Sequence, residues 1–227
     1  MQQQPGFIIK KSFSRPPSRL IAEFSEFSTD NLSDVMGKAN TLDYRIKPIH
    51  PGGRILGPCV TVRTRPGDNM LPMKAIELAK RGDVIAIAGG FDTNYSVWGG
   101  IMSLLAVHRG IAGVVTDGLV RDAAQIKEAG LVVFAAGLTP VGPSKDGKGQ
   151  INQPIVCGGV MIRPGDILYG DADGVVVIPQ LEAQEILVRA RERVKLEAGW
   201  IERINQGELI LVDSDEQLAD KGCLILR

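Results

Sequence analysis

The chain has 227 residues, 44% of them hydrophobic, which suffices for one globular domain with a sizeable core, and its 26 basic residues cancel 26 acidic ones, so no net field draws it to nucleic acid or an anionic membrane surface. Small molecules are the expected partners. Cys59, Cys157 and Cys223 are odd in number, far apart and without CxxC or Cys/His spacing, which argues against a disulfide framework or zinc site and fits a reducing cytoplasm.

Residues 1–18, with Gln2 to Gln4, Pro16 and Pro17, read as an arm that orders only against a neighbour, and residues 19–227 as a single domain. The start lacks the basic flank and apolar stretch of a signal, and no segment holds about 18 uncharged apolar residues, so neither export nor membrane insertion is expected. Thr29 and Asp30 can cap a short helix over Leu32, Val35 and Met36 that Gly37 ends. Ile55–Thr64 is a β-branched strand, followed by a helix over Met73–Lys80. The pattern repeats. Val84–Ala88 is a buried strand before a helix over 101–109, with Ile101, Leu104, Leu105 and Val107 expected inward. Gly113–Thr116 is a third strand, Arg121–Glu128 a short helix, and Leu131–Ala135 a fourth strand, so the alternation implies a parallel core sheet. Ile155–Cys157, Val160–Ile162, Ile167–Tyr169 and Val175–Ile178 are short strands between Gly, Pro and Asp turns, expected as a second β layer. A long, highly charged helix over about 181–205 is expected to lie along a subunit boundary.

Ligands of open α/β sheets collect beyond the carboxyl ends of the strands, where helix N-termini point outward. Two such places stand out. The segment from Gly89 to Gly100, Gly-Gly-Phe-Asp-Thr-Asn-Tyr-Ser-Val-Trp-Gly-Gly, could present backbone amides to an anion, or could simply be a turn that needs glycine. In Val114-Val-Thr-Asp-Gly-Leu-Val-Arg-Asp122 a strand and an Asp-Gly turn lead to adjacent opposite charges. Neighbours on a helix are about 100° apart, so Arg121 and Asp122 are expected to reach different partners. An arginine fork suits a carboxylate or enolate, and one aspartate with waters suits octahedral magnesium. The alternative is that Asp122 complements the helix dipole and Arg121 makes a surface pair.

Trp98-Gly-Gly-Ile-Met102, Ala106, Gly110, Gly113 to Asp122, Phe134-Ala-Ala-Gly-Leu-Thr-Pro140, Val156 to Asp166 and Tyr169 to Pro179 together resemble, in order and spacing, the core of the RraA-like, 4-hydroxy-4-methyl-2-oxoglutarate aldolase family. The resemblance spans most of residues 28–200 and implies an α/β fold, a layered β/β/α sandwich of swivelling-domain type. It also implies homotrimers, or hexamers built from paired trimers, with sites at subunit interfaces. By the same resemblance Gly99, Gly100, Ile101 and Met102 bind substrate, Arg121 is the substrate arginine, Asp122 holds a divalent cation (Mg2+ or Mn2+), and no organic cofactor is needed. Glu197 resembles a glutamate that reaches a neighbouring subunit's metal through water. The implied activity is a metal-dependent carbon–carbon lyase, an aldolase with oxaloacetate decarboxylase activity, acting through a pyruvate enolate stabilised by metal and arginine. Many aldolases of the family carry aspartate where this chain has Gly100, and that aspartate serves the proton relay, so decarboxylation is the less demanding reaction here. The competing reading is the family's regulatory branch, which binds and inhibits an RNA-degrading enzyme without chemistry of its own.

Other candidates read as structural. Asp171 and Asp173 suit an Asx-turn, His108 a helix end, and Cys157 a small buried hydrophobe. Gly89-Gly90 does not complete a GxGxxG loop, which sets aside a methyltransferase.

Overall fold

The computed structural model describes residues 6–208 and 214–226. The chain divides into two units, one up to Ala190 and one from Arg191 onward. In the first, strands Ile55–Arg63, Val84–Ala88, Gly113–Thr116 and Val133–Ala135 pair in parallel in that order, as the alternating pattern implies. Both faces of these strands are covered, which is why they read as apolar runs rather than alternating ones. On one face Val60, Val62, Ile85, Ile87 and Val114 pack against Leu71, Ala75, Met102, Ala106 and Ile126 from helices. On the other, Cys59, Val84, Ala86, Val115 and Phe134 meet Ile155, Cys157, Leu168, Val175 and Val177 of the β layer. The fold is thus the β/β/α arrangement expected.

Four expectations need correction. Residues of the arm lie on their own chain: Ile8–Ile9 pairs in parallel with Gln150–Ile151, and Arg15 forks onto buried Asp83 at 2.8 and 2.6 Å. The hairpin of Ile167–Asp171 and Gly174–Ile178 joins the first half of Ile55–Arg63 by antiparallel pairing, so the second layer is partly continuous with the core sheet. The helix Thr29–Val35 starts at Ser28 with no side-chain cap of its own; distant Asp171 accepts from the Thr29 amide and hydroxyl instead. In Gly100–His108 the inward residues are Met102, Ser103 and Ala106, while Ile101 is 74% and Leu104 52% exposed, with Leu105 and Val107 also on the outside. The helix is apolar all round, so periodicity could not choose its buried face.

A feature with no sequence forecast builds the site. Each of the strands ending at Ala88, Thr116 and Ala135 continues, after a short break, into Ser96–Trp98, Leu119–Val120 and Gly137–Leu138, which pair in parallel as a separate three-stranded sheet. In the second unit, helix Asp215–Asp220 carries a capping box between Ser214 and Gln217. Among the described residues no helix is long and apolar enough to cross a membrane.

Candidate active site

The three-stranded sheet brings together segments far apart in sequence. The Arg121 amide donates to the Trp98 carbonyl at 3.1 Å and the Thr139 amide to Val120 at 3.0 Å, so the residues leaving these strands emerge side by side. Trp98 is locked beneath them: its indole Nε1 donates to Ser103 Oγ at 2.8 Å, and that hydroxyl donates to the Gly99 carbonyl at 3.0 Å.

Asp122 caps the helix Ala123–Ala129 from the left-handed region, at φ 60° and ψ 40°. This conformation is uncommon outside glycine and asparagine, and aspartate is among the side chains that tolerate it. It overturns the expectation that Arg121 and Asp122 diverge, because that argument assumed helical backbone at both. Arg121 Nε lies 3.4 Å from Asp122 Oδ2, and the same oxygen accepts from the Gly100 amide at 3.1 Å. A Cβ at Gly99 would stand 2.8 Å from that oxygen, so glycine there leaves room for the carboxylate.

Gly99, Gly100, Ile101, Met102, Arg121 and Asp122 line one cavity of about 230 Å³. All six residues assigned by resemblance to substrate or cation in the first unit therefore converge. Gly100 opens its helix with the amide given to Asp122, which leaves those of Ile101 and Met102 in the first turn to face an anion. Lys145 and Asn69, which sequence reasoning missed, line the same space. Both follow from loop geometry: Asp68 accepts from the Met70, Asp146 and Gly147 amides and the Ser144 hydroxyl, clamping the loop that carries Lys145. Burial pushes the Asp68 pKa up, yet these four donors outweigh it and hold the carboxyl below its usual value. A polar residue opening the helix after the first core strand was the available signal for Asn69, by the strand-end rule already applied to the second and third strands.

The Gly89-Gly90 segment is not an anion cradle. Its two amides donate at 2.6 and 3.1 Å to Asp117, which is buried and also accepts from Gly158. Burial raises the Asp117 pKa, and the three glycine amides oppose that rise. Gln125, one turn into the helix after Asp122, covers Gly100: a Cβ at position 100 would meet Gln125 Cβ at 2.8 Å and its Oε1 closer still.

Glu197 belongs to the second unit, where it pairs with Arg193 at 2.8 Å one turn away on the same helix. Asp171 accepts from the Asp173 amide at 3.0 Å, the Asx-turn expected. Cys59 and Cys157 are fully buried, and burial pushes both thiols well up, as befits packing residues. His108 ends its helix.

A family model for RraA-like proteins, described as Aldolase/RraA, matches residues 29–177. The chain belongs to this family. A Halalkalibacterium halodurans protein provisionally named a 4-hydroxy-4-methyl-2-oxoglutarate aldolase is 39% identical over 173 residues, covering 76% of this chain and 82% of that one. The Thermus thermophilus 4-hydroxy-4-methyl-2-oxoglutarate aldolase is 33% identical over 155 residues, 68% of this chain and 94% of its own. Among solved structures, Streptomyces coelicolor RraAS2, described as an unusual member of the RNase ES inhibitor RraA family, superposes with a TM-score of 0.76 at 25% identity, covering 82% of this chain and 98% of that one. RraA-like chains thus include relatives named for a lyase and neighbours named for inhibition.

Proposed function

We propose that this chain is a divalent-metal-dependent lyase that cleaves 2-oxo acids to release pyruvate. The observation that carries the reading is the meeting, in one cavity, of the Arg121 fork, the Asp122 carboxylate and the first-turn amides of the helix Gly100–His108. A pure binding protein has no need of a carboxylate held beside a guanidinium in a cleft.

The donor set fits a strongly hydrated cation. Asp122 offers one carboxylate at the cavity wall, and no group of three or more His, Cys, Asp or Glu suited to a metal occurs among the described residues. Magnesium or manganese accepts such a site, keeping water for most of its shell, with Asp122 as the residue that would hold it. When bound, the ion supplies Lewis-acid polarisation of the 2-oxo group.

The chain's own residues do the rest. The amides of Ile101 and Met102 suit the substrate carboxylate. Cleavage leaves the electron pair of the broken bond on the pyruvate unit as an enolate, whose oxygen Arg121 can stabilise by charge-assisted hydrogen bonds; a proton taken up at carbon then gives pyruvate. Aldol cleavage also requires a base for the substrate hydroxyl. Gly100 provides none, and the Gln125 amide over it is not basic, so oxaloacetate, which loses carbon dioxide without that proton transfer, is the less demanding substrate.

An oligomer, a homotrimer or a hexamer of paired trimers, would cover the outward apolar face of Gly100–His108, where Ile101 and Leu104 are exposed among the described residues. The Streptomyces neighbour favours the regulatory alternative, inhibition of an RNA-degrading enzyme. One screen separates them: pyruvate release from a panel of 2-oxo acids with magnesium or manganese, repeated after EDTA. Metal-dependent release supports the lyase; no release from any acid, or release unaffected by verified metal removal, sinks it.

A further inference from the structure

Strand Ile8–Ile9 is an outer edge of the large sheet. On one side it pairs with Gln150–Ile151, which in turn pairs with Ile55–Arg63, and among the described residues no strand follows on the other side. The Ile8 and Lys10 amides donate inward, to the carbonyls of Gly149 and Ile151, each at 3.1 Å. Main-chain groups alternate in direction along a strand, so the amides of Phe7 and Ile9 face outward. Proteins that block an edge against pairing load it with charge or proline. Here three successive apolar side chains border the open main chain, Phe7, Ile8 and Ile9, at 43%, 46% and 38% exposure.

Register decides what lies beside that edge. Ile9, Ile151 and Val62 form one row whose inner two members are buried under the helices, which puts Ile8, Gln150 and Arg63 on the opposite face. Lys10, two residues past Ile8, has the parity of this second row. Arg63 reaches across Gln150 to the start of the arm, since a Cβ at Gly6 would stand 3.7 Å from its Nη2. One cation therefore stands before the strand and another after it, four residues apart along the arm. Both are exposed, and neither is ion-paired among the described residues.

We infer that this edge is a docking site for an extended acidic polypeptide segment, added as a strand beside Ile8–Ile9 with carboxylates four residues apart facing Arg63 and Lys10. Open main-chain groups give such a segment its hydrogen bonds, and the flanking cations select its charge. A second copy of this chain fits poorly, because two such edges would bring like charges together. Nucleic acid would meet the cations and leave the outward amides unused. The inference does not depend on the chemistry of the cavity.

Fluorescence anisotropy on the full-length chain at low ionic strength tests it, with the labelled peptide Thr-Glu-Thr-Val-Thr-Glu-Thr and its counterpart carrying lysine for both glutamates. The acidic peptide is expected to bind roughly 5-fold or more tightly than the lysine peptide, and Lys10→Glu with Arg63→Glu to reverse that preference. Two further probes are N-methylated, one at the valine amide and one at the next threonine amide. In a strand these point to opposite edges, so one methyl group should weaken binding roughly 2- to 12-fold and the other leave it unchanged. No binding of the acidic peptide, a preference untouched by the charge reversal, equal effects of the two methyl groups, or equally tight binding of an oligothymidylate overturns the inference. Should the reversed variant fail to fold, the methylated probes on the wild type decide.

Discussion

The Gly100 amide and the Asp122 carboxylate, 22 residues apart in sequence, meet at 3.1 Å, so one carboxylate oxygen ties the start of one helix to the cap of the next. Because Arg121 Nε approaches the same oxygen at 3.4 Å, its guanidinium is held over the cavity by the residue proposed to carry the cation.

That arrangement predicts separable defects. Arg121→Lys keeps the charge and loses the planar fork, so turnover should fall by the equivalent of about 2–4 kcal/mol while the metal constant changes little. Asp122→Asn preserves the left-handed backbone, which asparagine also tolerates, and removes the anion; the apparent metal constant should rise steeply and excess metal should restore part of the activity. Metal titrations of both variants check this, and wild-type pyruvate release by both would refute the site.

Position 100 offers a second test. Placing aspartate there drives its Cβ onto Gln125, 2.8 Å from that residue's Cβ, so Gly100→Asp alone should destabilise by about 1–3 kcal/mol without gaining aldol activity. Gly100→Asp with Gln125→Gly removes both the amide and the Cβ that crowd position 100, and should recover the melting temperature less the roughly 1 kcal/mol that glycine costs within a helix. Thermal denaturation and aldol cleavage rates, compared across the single and double variants, report the outcome.

Asp68 ties acid stability to the cavity rim. Burial works against its charge, but four donors hold its folded pKa below the ordinary 3.8, so its contribution is present above that value and is lost as pH falls below 3.8 through the folded pKa. Asp68→Asn should lower stability near neutral pH by about 1–3 kcal/mol and flatten the acid limb of the curve. Denaturant titrations at a series of pH values would show an unchanged acid limb if the clamp were unimportant.

The proposed assembly can be tested at the outward face of Gly100–His108. Leu104→Glu introduces a charge at a residue 52% exposed, so it should leave the lone chain folded and break the oligomer. Sedimentation at micromolar concentration should show trimers or hexamers for the wild type and smaller species for the variant; a monomeric wild type would contradict the assembly.

The sequence by itself determined the layered architecture and singled out the segment that lines the cavity. The buried strands Val84–Ala88 and Gly113–Thr116 are uninterrupted apolar runs bounded by glycine and charge, so their ends and their parallel order follow from local pattern. The adjacency of Arg121 and Asp122 beyond a strand likewise needed no coordinates to attract notice, whereas their approach to one another was set by the left-handed backbone at Asp122. Which face of Gly100–His108 is buried was decided by tertiary packing, because a helix with apolar residues on every side carries no directional signal. The same holds for the Gly89-Gly90 amides: only the fold brings Asp117 within 2.6 Å and removes them as an anion site. Asn69 joined the cavity because a loop more than seventy residues later closes over it, a contact that local spacing cannot encode. Periodicity reports what a segment must bury, and long-range hydrogen bonding decides which polar groups remain for a ligand.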